Sequence, residues 1–190
     1  MSNDIEIEIK VRIKDKAPLL SFLSKNAKFR STNHQIDEYY TPAHRNFLEA
    51  NPVKEWLRLR DNDGIYSLDY KNWHFEPDDR SSYCDEYEAK IENMGQMRKI
   101  LGVLDAKPIV IVDKMREIWD YNDYEIGIDS VVNLGDFVEI EYTGNHEKTD
   151  SKKITDEMMS FLKEIGCKDI KRDYVGYPHM LLYGISGANK

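Results

Sequence analysis

Apolar and polar residues alternate one for one along residues 4–13. Ile5, Ile7, Ile9, Val11 and Ile13 share one parity; Glu6, Glu8, Lys10 and Arg12 share the other. Successive side chains of a strand point to opposite faces, so this segment reads as a strand with one apolar and one ionic face. The alternation returns downstream. Leu57 and Leu59 oppose Arg58 and Arg60, Leu68 and Tyr70 oppose Asp69 and Lys71, and Val138 and Ile140 oppose Glu139 and Glu141. Further strands are expected over residues 35–40, 83–91, 109–119 and 124–129, with Glu86, Glu88, Lys114, Arg116 and Asp129 as their ionic positions. Asn62-Asp63-Gly64 and Tyr121-Asn122-Asp123 are hairpin turns.

The period changes to that of a helix in three places. Asp15 caps a stretch with Pro18 in its first turn and Leu19, Leu20, Phe22 and Leu23 as its apolar stripe. Asn93 caps a second, carrying Met94, Met97, Ile100, Leu101 and Leu104. A third runs to about Ile165 and stops at Gly166, a left-handed cap. The tail, residues 174–183, is amphipathic, with Pro178 making it irregular. Residues 41–45, 73–82 and 144–150 read as loops, and no repeat or linker divides residues 1–190.

About eight strands therefore pair an apolar face with an ionic one, and helices are available to cover the apolar side. The expected fold is α+β: a closed eight-stranded antiparallel β-barrel with ions inside and helices packed on the outside. Such an interior holds one small ligand.

Composition narrows the picture. The 190 residues, 41% hydrophobic and 33% charged, suit one folded domain with a core of its own. No apolar run is long enough for a membrane-spanning helix, and residues 1–4 lead straight into the first strand, so neither membrane nor secretory signal is expected. Cys84 and Cys167 lack metal spacing and read as free thiols of a reducing compartment, hence a cytoplasmic protein. The net charge of −8 argues against nucleic acid as partner but not against a small anion.

The ionic positions suggest chemistry. Lys10, Arg58, Arg60, Lys71, Lys114 and Arg116 suit a polyphosphate, with arginine able to contact it bidentately. Glu6, Glu8, Glu139 and Glu141 are hard oxygen ligands suited to Mg²⁺ or Mn²⁺. Glu6-Ile7-Glu8-Ile9-Lys10 resembles the ExExK signature of the CYTH superfamily, the triphosphate tunnel metalloenzymes. Asp37-Glu38-Tyr39-Tyr40, Leu57-Arg58-Leu59-Arg60, Lys71, Glu86-Tyr87-Glu88, Lys114-Met115-Arg116, Asp129, the segment from Leu134 to Glu141 and Arg172-Asp173-Tyr174 follow in order, with no role given to the first, so the resemblance spans nearly the whole chain.

The resemblance implies an eight-stranded tunnel in which divalent metal assists chemistry on a nucleoside or inorganic triphosphate. Glu6, Glu8, Asp129, Glu139 and Glu141 would hold or orient metal. Lys10, Arg58, Arg60, Lys71, Lys114, Arg116 and Arg172 would hold the triphosphate. Lys10, Glu8 and Glu141 would carry the catalysis. Class IV adenylyl cyclase is the leading activity, and hydrolysis of inorganic or thiamine triphosphate the runner-up. A non-catalytic nucleotide sensor is the third reading. Members of the family are sometimes dimers, which leaves a homodimer open. One departure is visible: the family often reads Thr-x-Lys-Gly where this chain reads Asp69-Tyr70-Lys71-Asn72, so Asp69 is expected to pair with a neighbouring base. The five histidines show no ligand spacing and read as loop or surface residues. Lys90 and Glu125 are left outside the site, and Trp73-His74-Phe75 reads as a loop on the barrel rim.

Overall fold

The computed structural model describes residues 5–75, 81–145 and 150–184. The strands are β1 (Ile5–Glu6), β2 (Glu8–Arg12), β3 (Lys28–Thr41), β4 (Glu55–Asn62), β5 (Ile65–Phe75), β6 (Ser81–Ile91), β7 (Lys107–Tyr121), β8 (Tyr124–Val131), β9 (Gly135–Tyr142) and β10 (Lys171–Asp173). The helices are α1 (Ala17–Asn26), α2 (Met94–Val103), α3 (Ser151–Glu164) and α4 (Tyr177–Tyr183). The architecture is α+β. All strands join one antiparallel sheet in the order β1-β6-β5-β4-β3-β7-β8-β9-β2-β10, and the sheet curls around a cavity.

The ring of eight strands expected from the sequence is corrected to ten strands in a curled sheet. The extra two have simple causes. The first segment breaks at Ile7: β1 pairs with β6, while β2 pairs with β9. β10 is a three-residue addition alongside β2 that the periodicity could not reveal. Strands also extend further than their patterns. β3 begins at Lys28, because Lys28–Thr41 finds a long partner in β7 through a bulge between Phe29 and Ser31. Trp73–Phe75 belongs to β5 rather than to a loop.

The strand faces divide as the alternation requires. Ile9, Val11, Ile126, Ile128, Val138 and Ile140 point outward into a buried cluster beneath α1 and α3. α2, capped by the Asn93 side chain, lays Met94 and Leu101 over Tyr40 and Leu59. Burying a Leu or Ile contributes about 1.5–3 kcal/mol, so these outer layers hold the sheet in its curl. α4 is the exception to helices packed outside. Its Tyr177 and Met180 join Tyr39, Trp56, Val112 and Phe137, which carry the inward parity. The helix therefore plugs one end of the concave face. Pro178 does not disrupt it, because it stands in the first turn, where its missing N–H is not needed.

Candidate active site

The plug layer divides the cavity wall. Beyond the inward apolar residues each strand continues with charge: Val112 is followed by Lys114 and Arg116, Phe137 by Glu139 and Glu141, Trp56 by Arg58 and Arg60. These side chains surround a cavity of about 340 Å³. Its walls are asymmetric. β4 and β7 contribute Arg58, Arg60, Lys114 and Arg116, whereas β2, β9, β8 and β6 contribute Glu8, Glu141, Glu125 and Glu86, and β3 between β4 and β7 contributes Asp37.

The cations are held by carboxylates. Asp37, buried on β3, accepts both Nε and Nη2 of Arg60 at 2.6 and 2.7 Å and lies 3.8 Å from Arg58 Nη1. Arg58 donates from Nε to Asp69 at 2.6 Å and from Nη2 to Glu86 at 3.3 Å. Asp69 thus pairs with a base, as the departure from Thr-x-Lys-Gly suggested. Lys71 meets Glu86 at 3.2 Å, and Lys10 meets Glu139 at 3.0 Å. Asp129 accepts Lys114 Nζ at 3.0 Å and both Nε and Nη2 of Arg116 at 2.6 Å. Arg116 Nη2 also reaches Glu139. It does so across Gly127, where an added Cβ would lie 3.3 Å from the guanidinium carbon. The absent side chain at Gly127 is what lets one arginine span two carboxylates.

Of the residues expected in the site, Glu8, Lys10, Glu139 and Glu141 line the cavity, as do Arg58, Arg60, Lys71, Lys114 and Arg116. Asp129 does not: it is 0% exposed and stands behind the wall as the anchor of Lys114 and Arg116. Arg172 lies in a smaller adjoining space, its guanidinium 4.8 Å from the Tyr174 ring centre and 3.4 Å from the Glu8 carbonyl. Glu6 lies on β1 opposite Cys84, with its side chain outside what is described.

The sequence missed several residues. Glu125, set aside as surface, lines the cavity. Asp37 shares the inward parity of Gln35 and Tyr39, a signal that was available. Tyr177 gave none, yet its hydroxyl donates to Asp129 at 2.8 Å, and the Lys10 and Lys114 ammonium groups lie 4.5 and 5.0 Å from its ring centre. Trp73 lines the plug end of the cavity, and His179 is buried on α4 rather than exposed. Met1–Asp4 and His146 are outside the described residues.

Glu8 and Glu141 are direct cross-strand neighbours, and Glu125 is the neighbour of Glu141 on its other side. Like charges so placed repel. Burial, then Glu8 and Glu125, push the Glu141 carboxyl up to about 7. Burial, then Arg116, pull Lys114 down to about 8. Glu139 is held well below the carboxylate range, because Arg116 and Lys10 outweigh its burial. The repelling glutamates are hard oxygen donors facing one space, so they fit a divalent cation in kind. Among the described residues no group of three or more acidic, histidine or cysteine side chains is placed so as to hold a metal ion.

These shifts set a pH dependence. A raised pKa contributes stability that is present below the unfolded value and lost as pH rises through the folded value, so Glu141 weakens the fold on the way up to about 7. A depressed pKa contributes stability that is lost as pH falls through the folded value, so Lys114 weakens it on the way down to about 8. Urea denaturation of the ligand-free protein should therefore find a trough between pH 7 and 8, roughly 1–3 kcal/mol deep. A flat profile from pH 5 to 9 would show that neither group feels its neighbours.

Comparison with known proteins adds a family. The CYTH domain matches residues 4–177. "Putative adenylate cyclase MJ0240" of Methanocaldococcus jannaschii is 37% identical over 175 residues, 90% of this chain and 97% of that protein. The solved structure of PH1819 protein from Pyrococcus horikoshii superposes with a TM-score of 0.77 at 26% identity, covering 93% of this chain and 98% of the other. HpAC1 from Hippeastrum shares the fold at a TM-score of 0.63 and 20% identity, covering 96% of each chain. That protein is described as a putative adenylyl cyclase with a dominant triphosphatase activity.

Proposed function

The chain belongs to the CYTH domain family, and from that premise we propose a divalent-metal-dependent enzyme acting on a triphosphate, with class IV adenylyl cyclase chemistry on ATP as the leading reading. One observation carries it: a cavity of about 340 Å³ is lined both by cations, most of them on β4 and β7, and by carboxylates, most of them on β2, β6, β8 and β9. A simple anion site has no use for the carboxylates. The 37% identity to a protein named as a putative adenylate cyclase supports the choice of reaction. In this reading residues 5–12, which meet β6 at one end and β9 at the other, are the seam along which the sheet closes into a tunnel.

Lys10, Arg60, Lys114 and Arg116 neutralise and align the phosphates, and Asp37 and Asp129 fix the directions in which three of them point. Arg58 and Lys71 extend this set along β4 and β5, and Arg172 lies in the adjoining space. Glu8, Glu139 and Glu141, with Glu6 from the same strand segment, would hold Mg²⁺ or Mn²⁺. Bound there, the ion would supply charge stabilisation at the phosphate oxygens. For cyclisation the ribose 3′ oxygen attacks the α-phosphorus and pyrophosphate leaves. The hydroxyl proton passes to a carboxylate of the cavity, the role proposed for Glu141. Hydrolysis needs the same groups with water attacking the terminal phosphorus, the activity described for HpAC1.

The test is turnover of purified protein with Mg²⁺ or Mn²⁺, offered ATP and inorganic triphosphate separately, with products resolved by chromatography. Cyclic AMP and pyrophosphate are expected. Orthophosphate without cyclic nucleotide would replace the cyclase by a triphosphatase. Binding without turnover of either substrate would make the protein a sensor.

A further inference from the structure

We infer that the cavity takes up a triphosphate and a divalent cation as a coupled pair, through an exchange of salt-bridge partners in which Glu86 contributes to the coupling and Asp69 sets a standing opposition to phosphate at Arg58. The inference rests on the proposed triphosphate reading and extends it. Every cationic side chain lining the cavity is already bound to a carboxylate. No guanidinium or ammonium stands ready for phosphate alone. A triphosphate that captured Lys10 and Arg116 would leave Glu139 buried with its cations diverted. A cation that captured Glu139 would take the carboxylate that Lys10 pairs with, and one that captured Glu86 would take a carboxylate from Lys71. Breaking a buried pair by withdrawing one partner is strongly unfavourable. Arriving together, the two ligands let phosphate replace carboxylate on the cations while metal replaces cations on the carboxylates, and every charge stays paired.

Asp69 is the sharpest element of this arrangement. It is 1% exposed, its Oδ2 takes Arg58 Nε, and its Oδ1 has no hydrogen-bond partner. With Asp37 at 3.8 Å and Glu86 at 3.3 Å, Arg58 is surrounded by three carboxylates. Two of these, Asp37 and Glu86, line the cavity; Asp69 lies behind it. A metal in the cavity cannot be reached by Asp69, so its negative charge remains on Arg58 and opposes phosphate there. Removing that charge should strengthen phosphate binding with and without metal, whereas removing the charge of Glu86, which lines the cavity and which a metal there can neutralise, should strengthen it where no metal is present.

Isothermal titration with imidotriphosphate, whose bridging nitrogens resist hydrolysis, tests this with EDTA and with saturating Mg²⁺. A parallel Mn²⁺ titration by electron paramagnetic resonance, with and without the anion, gives the reciprocal measurement. Each ligand should tighten the other by roughly 50-fold or more, by the same factor in both directions. Glu86→Gln, at a position 24% exposed, should raise the metal-free anion affinity about tenfold and narrow the gap. Asp69→Asn should raise the affinity with and without metal alike, folding of both variants being checked by circular dichroism. Equal anion affinity with and without metal would overturn the coupling while leaving the triphosphate reading intact. Unchanged metal-free affinity in both folded variants would overturn the role given to these carboxylates. No binding under either condition would overturn the triphosphate reading itself.

Discussion

Asp129→Ala will cost the fold about 3–5 kcal/mol, the usual penalty for leaving buried charges without their partner. Asp129 is wholly buried and gathers Lys114, Arg116 and the Tyr177 hydroxyl on two oxygen atoms. Its removal leaves two cations facing each other beside an orphaned hydroxyl. Asp129→Asn keeps the shape and loses the charge, so it should fall between the variant and the parent. Urea denaturation with a fitted midpoint is the measurement. A mere metal ligand would behave differently: the alanine variant would keep its stability within about 1 kcal/mol and lose only metal affinity. That result would return Asp129 to the metal-binding set the sequence suggested.

Glu141→Gln should show the opposite signs. The carboxylate sits between Glu8 and Glu125, and its repulsion is greatest when all three are ionised. Neutralising it should stabilise the ligand-free protein at pH 8 by roughly 1–3 kcal/mol. The same change removes a proposed metal ligand and proton acceptor, so metal-dependent turnover should fall about 10²–10³-fold. Denaturation and turnover on one preparation decide the matter. A variant that is less stable and fully active would mean that Glu141 is an ordinary wall residue. Residues that raise activity while straining the resting fold are a common mark of functional sites.

Much of this was legible in the chain because a strand reports its two faces in every second residue. The inward placement of Lys10, Arg58, Lys114 and Glu139 follows from parity alone, and the structure bears it out. Parity does not say which inward charges face open space and which face each other. Asp129 and Lys114 look alike in the pattern, yet one is the anchor and the other lines the cavity. That distinction depends on which residues become register neighbours, and Gly127 beside Glu139 could be known only from the β8–β9 ladder. Glu125 was misplaced because it lies at a hairpin end, where a charged residue more often meets water. The role of α4 was hidden for another reason. The tail was legible as an amphipathic segment made irregular by Pro178, but not its packing, which depends on the apolar inner ends of separate strands. The break at Ile7 was invisible too, since an uninterrupted alternation gives no sign that its two halves pair with different strands.

That break governs the order in which the chain can fold. Residues 5–12 leave the ribosome first, but their partners arrive much later, β6 at Ser81–Ile91 and β9 at Gly135–Tyr142. Pairings so distant in sequence form slowly, because the intervening chain must be ordered before they are rewarded. Until then the facing edges of β6 and β9 stand open, and open edges recruit other chains. The hairpins β4–β5 and β7–β8 are local and can form during synthesis. Residues 5–12 are thus made long before the strands that place them, and the nascent protein spends an aggregation-prone interval waiting for a segment it already possesses.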